Sequence, residues 1–253
     1  MSRRRQVAGA MICALAAAGV GAPAWAQMHG GAASEAAPHG PPVDDQHVWF
    51  HAILEQFEYR AHDEGALSWD GQAWLGTDSN RLWLKTEGEL QGGSVEGGKH
   101  ELLYDRPIST YFDLQAGFRF DADSKPGRGW AAIGVQGLAP YFFEVSATAY
   151  AGEKGRLAAN FEGSFDLLLT QRLILQPTLE FNLYSKRDAA RRTGSGLADV
   201  ETGLRLRYEI SRKFAPYAGL SYQRSYGQTR RYDLADGEDP ETFVFAAGVR
   251  SWF

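Results

Sequence analysis

The sequence predicts an all-β protein, an antiparallel transmembrane β-barrel of about twelve strands behind a short disordered N-terminal tail. Three observations predict it. The first is strict alternation: Leu173, Leu175, Pro177, Leu179, Phe181 and Leu183 share one parity, while Gln176, Thr178, Glu180 and Asn182 share the other. Period two is the signature of a strand with two chemically different faces. The second is length and charge. The alternating runs exceed the ~5–6 residues of ordinary strands, and their polar face carries Asp, Glu and Arg almost without a break. A soluble sandwich turns its polar face to water; a membrane barrel turns it to the lumen and gives the apolar face to lipid. The third is the chain end, where Phe243, Phe245, Ala247, Val249, Ser251 and Phe253 share a parity.

In chain order, residues 1–26 read as a secretory signal peptide: Arg3-Arg4-Arg5, an apolar run over 7–20, then Ala24-Trp25-Ala26. Cleavage after Ala26 leaves Gln27 first and removes Cys13, the only cysteine, so the mature chain has no disulfide. Residues 27–48 are Gly, Ala, Pro and His with few large apolar side chains, and cannot bury enough surface to fold. The barrel is assigned to 49–253. Alternation and turn residues place strands at 50–60, 67–77, 80–90, 98–105, 110–121, 128–138, 141–151, 155–169, a pair within 173–210, 214–226 and 241–253. The first strand is ambiguous. Either Ile53, Phe57 and Tyr59 or Ala52, Leu54 and Gln56 face lipid. Gly92-Gly93 and Gly97-Gly98 read as loop.

Connections at Asp78-Ser79, Ala139-Pro140, Thr170-Gln171 and Ser211-Arg212 are tight, whereas 121–129, 186–196 and 227–240 are long and polar. Bacterial barrels keep short turns in the periplasm and long loops outside, so an even strand count places both termini in the periplasm.

The formal net charge is −5, which argues against nucleic acid as a partner. By parity the lumen holds Glu87, Glu89, Glu101, Asp113, Glu144, Glu162, Asp166, Glu180, Asp199, Glu201 and Glu209, against Arg81, Lys85, Arg119, Arg205, Arg207 and Arg250. Ion-pair networks also fill narrow barrels simply to pack them. It is the excess of acid that points to cations, because a low-dielectric shell focuses a negative potential. The histidines outside the leader all lie at or before His100, and Met28, His29, His39, His47 and His51 are the candidate metal ligands. Imidazole suits copper, nickel and zinc, and thioether suits Cu(I). A free amine ahead of Gln27-Met28-His29 offers square-planar nitrogen ligation to Cu(II) or Ni(II). Catalytic motifs are lacking: no nucleophile elbow with a following His and no phosphate loop before a helix. The expectation is a non-enzyme.

Specific strings carry a resemblance. They are Leu54-Glu55-Gln56-Phe57-Glu58-Tyr59-Arg60, Trp69-Asp70-Gly71-Gln72-Ala73-Trp74-Leu75-Gly76, Asn80-Arg81-Leu82-Trp83-Leu84-Lys85-Thr86-Glu87-Gly88-Glu89, Glu101-Leu102-Leu103-Tyr104-Asp105-Arg106 and Asp113-Leu114-Gln115-Ala116-Gly117. Together they resemble the copper resistance protein B family over essentially 49–253. The resemblance implies a Gram-negative outer-membrane barrel that lowers periplasmic copper by binding it, exporting it, or both. Copper is its implied cargo, and outer-membrane lipid and periplasmic copper-handling proteins are its implied partners. The terminal Phe253 resembles the outer-membrane assembly signal. One departure stands out. Many members carry a long Met- and His-rich segment before the barrel, and here that segment is short. Two other readings stay open: a narrow cation-preferring diffusion channel, and a barrel lipid hydrolase, which the histidine distribution disfavours.

Overall fold

The computed structural model describes residues 47–61, 65–122 and 127–253. The leader, Met28, His29, His39, His62 and nearly all of the expected tail lie outside them. The described strands are β1 (Trp49–Ala61), β2 (Ala66–Gly76), β3 (Arg81–Gln91), β4 (Ser94–Pro107), β5 (Phe112–Asp121), β6 (Arg128–Ala139), β7 (Phe143–Gly152), β8 (Arg156–Ser164), β9 (Leu167–Leu168), β10 (Leu173–Tyr184), β11 (Gly196–Tyr208), β12 (Phe214–Ser225) and β13 (Glu241–Trp252). Each long strand pairs antiparallel with its neighbours in sequence, and β1 pairs with β13, so the sheet closes as a barrel. Closure removes the exposed edges that would otherwise leave backbone groups unpaired.

The wall is polar inside and apolar outside. Phe118 on the outer face is 72% exposed, whereas Asp105 is 0% and Gln115 2% exposed within. Leu103, Trp130, Ala132 and Tyr150 form the one cluster of buried apolar side chains among the described residues. An outward apolar band over a polar interior is the arrangement lipid requires.

Three departures from the expected elements have physical causes. The eighth strand is split, with β8 ending at Ser164 and β9 resuming at Leu167. The register stays continuous across the gap, and Phe165 donates to the Pro177 carbonyl at 3.2 Å. The missing partner is the N–H that Pro177 lacks. Next, Gly97 and Gly98 lie inside β4, in a bulge opposite Glu87–Glu89. Gly92 and Gly93 make the turn, both with positive φ as a tight hairpin demands. Finally, the polar stretch expected as a loop after β12 forms helix α1, Gly227–Asp236. Gly237, at φ 82°, closes it in the left-handed conformation.

Neither alternative for β1 holds whole: Phe57 and Tyr59 face outward as the first has it, but Ile53 lies opposite the inward Gln72, and Gln56 of the second lines the lumenal cavity. Pairing with β2 and with β13 shifts by one residue just after Leu54. This bulge switches the parity of the inward face. Before it, His51 lies opposite Trp74; after it, Glu58 and Arg60 turn inward while Phe57 and Tyr59 are exposed.

Candidate functional site

Side chains from most of the long strands converge on a lumenal cavity of about 1000 Å³. Among the described residues its lining carries eleven carboxylates and six basic side chains. Of the acids expected in the lumen, Glu87, Glu89, Glu101, Asp113, Glu144, Glu162, Glu180 and Glu201 line it. Asp199 sits one step away, accepting a hydrogen bond from Asn182 at 2.9 Å. Asp166 lies in the gap between β8 and β9, paired with Arg207 at 2.6 Å. Glu209 falls in the turn after β11, beyond the lining.

The cavity is organised by shared cations. Lys99 reaches Glu87 at 2.9 Å and Glu180 at 3.7 Å. Arg60 lies 2.8 Å from Glu58 and 3.6 Å from both Glu89 and Glu201. Glu58, 1% exposed, also accepts from Tyr217 at 2.8 Å and from Arg205 at 3.4 Å. Arg81 bridges Asp113 at 3.1 Å and Asp105 at 3.5 Å. Asp70, Glu144 and Glu162 are ion-paired to no basic side chain among the described residues. No group of three His, Cys, Asp or Glu converges as a preformed metal cluster among the described residues. The lumen therefore offers a broad negative field.

The two described histidine candidates stand apart from these acids. His47 packs edge-on to Trp49 at 4.4 Å. His51 stacks against Trp74 at 6.2 Å and Trp252 at 5.9 Å, near the barrel end where β1 begins and β13 finishes. Parity reading missed Glu55, Asp70, Arg60 and Lys99, all of which line the cavity. The bulges hid Glu55, Arg60 and Lys99, because each breaks the alternation that would have assigned their faces. Asp70 lay in a strand whose alternation Trp69, Gly71 and Ala73 blur.

A second, smaller cavity of about 190 Å³ lies at the opposite end, under the connection between β10 and β11. There Asp188 accepts from Arg128 at 2.6 Å and Arg156 at 3.0 Å. Burial raises the Asp188 carboxyl, but the hydrogen bond and charge of Arg128, with the charge of Arg156, outweigh this and hold it below its usual range.

The family model described as copper resistance protein B precursor matches residues 48–253. The chain is 43% identical over 215 residues to copper resistance protein B of Escherichia coli, covering 85% of this chain and 73% of that one. It is 44% identical over 217 residues to a copper resistance protein B homolog of Pseudomonas syringae pv. tomato, with the same coverage. In structure it is similar to the NanC porin, with a TM-score of 0.52 over 80% of this chain and 99% of that one. At 11% identity that likeness is one of fold. With its whole barrel inside the family match and two relatives above 40% identity, the chain belongs to the copper resistance protein B family.

Proposed function

We propose that this protein sits in the outer membrane with both termini in the periplasm and lowers periplasmic copper by binding it, exporting it, or both. Copper is cargo in this reading, and no catalytic step is assigned. The carrying observation is the lumen, where eleven carboxylates face six cations and Asp70, Glu144 and Glu162 keep no basic partner among the described residues. Such a field concentrates cations. Family membership supports copper as the one that matters. The histidines supply the selectivity that carboxylates lack, since imidazole and thioether prefer copper to the hard alkaline-earth ions. Capture is assigned to Met28, His29, His39, His47 and His51, and holding or conduction to the lumenal acids. Periplasmic copper-handling proteins are the partners that would deliver the metal to the tail.

Copper titration of the whole protein and of a chain lacking residues 27–48 tests the division of labour. The full chain is expected to bind at least one copper equivalent more than the truncated chain. Equal uptake by both would remove the tail from the mechanism. Growth of a deletion strain on copper tests the role itself. Unchanged sensitivity would leave a general cation-preferring channel, which the same acidic lumen also suits.

A further inference from the structure

The smaller cavity at the loop end has the opposite chemistry from the lumen. Among its described lining residues six are basic and two are acidic. It is an interior space, because Arg119 and Trp130 are buried while Phe118 and Phe120 on the other face of the same wall are exposed. We infer that this cavity is a binding site for a small soluble oxyanion of the phosphate or sulfate type.

The structure already contains one anion held in this way. The Asp188 carboxylate is clamped by Arg128 and Arg156 from two neighbouring hairpins, and its other oxygen accepts from the Ala190 amide at 3.2 Å. Guanidinium pairs on one carboxylate are the arrangement that also recognises phosphate. Only part of the positive charge is answered there. Arg119 is paired with Asp121 at 2.7 Å, but the Lys186 ammonium donates to the uncharged Lys154 carbonyl at 2.8 Å. A negative ligand entering beside Asp188 thus meets preset N–H donors and, in Lys186, a charge with no acidic partner among the described residues. Two further features hold the cage. Thr229 at the start of α1 accepts from the Gly194 amide at 2.9 Å, and Arg192 pairs with Asp236 near the helix end. These contacts tie α1 to the connection that carries Asp188.

The cavity shares Lys99 and Arg119 with the acidic lumen, so its test uses a metal-free readout. Inorganic phosphate is titrated calorimetrically into the copper-free full chain in detergent, with inorganic sulfate as a second probe. One saturable site is expected. Arg128→Gln and Arg156→Gln are each expected to weaken it at least tenfold, and Arg250→Gln at the other end of the barrel to leave it unchanged. Asp188→Asn is expected to tighten it severalfold, because the cage loses the carboxylate that competes with the ligand. Heat-modifiable gel migration confirms that each variant is folded. Absence of saturable binding, or equal weakening by all four substitutions, overturns the proposal. A folded Asp188→Asn that binds more weakly also overturns it, since order in the connection rather than charge would then set the affinity.

Discussion

Glu58 shows how much depends on one carboxylate. It is buried and receives Arg60, Arg205 and Tyr217, which come from β1, β11 and β12. Removing one partner of a buried ion pair leaves uncompensated charge and costs roughly 3–5 kcal/mol. Glu58→Gln keeps the shape and one acceptor, and Arg60 retains Glu89 and Glu201 at 3.6 Å, so the low end applies. A loss of about 3 kcal/mol is expected in urea unfolding of the barrel in lipid vesicles. A loss under about 0.5 kcal/mol would mean that the network is loosely held. Little of this was legible in the sequence. Glu58 lies just past a bulge, and no period-two count can say on which side of an inserted residue the phase changes. Glu162 and Glu180 were legible, because their strands alternate cleanly between Phe161 and Phe181 on one face and Asn160 and Asn182 on the other.

At the scale of elements, twelve long strands, their pairing order and their tight turns follow from alternation plus Gly, Pro and Asp positions. The helix α1 does not. Gly227–Asp236 has no apolar stripe to bury and no residue of it is buried, so it leaves no periodic signal of the kind that reveals packed helices. It is held by polar contacts to the preceding long connection, which sequence cannot pair. Pro177 is the clearest element-level test. It leaves the Phe165 position with one ladder bond where an antiparallel pair normally exchanges two. Pro177→Val restores the donor. The expected result is slower amide exchange across residues 164–168 and a gain of about 1 kcal/mol in stability. If exchange there stays as fast as in the parent, the break has another cause.

At the scale of the whole molecule, the inside-out distribution of polarity was legible because lipid and lumen impose opposite demands on alternate residues of every strand. The basic cavity was not. Its lining joins residues from β4, β5, β6, β8, β10 and the connection after β10, and only closure of the sheet brings them together. Among the described residues, the charge of the interior lining changes sign along the barrel, acidic through the lumen and basic in the smaller cavity at the loop end. In electrical terms two such zones in series form a junction. Mobile cations accumulate in one zone and mobile anions in the other, so an applied voltage fills the boundary with carriers in one direction and empties it in the reverse direction. Current through the barrel in a planar bilayer is therefore expected to rectify, and the asymmetry to shrink at high salt as the fixed charges are screened. A straight current–voltage line at low salt would show that the two zones do not act in series. Rectification would show that the two charged zones bias the direction in which ions cross the barrel.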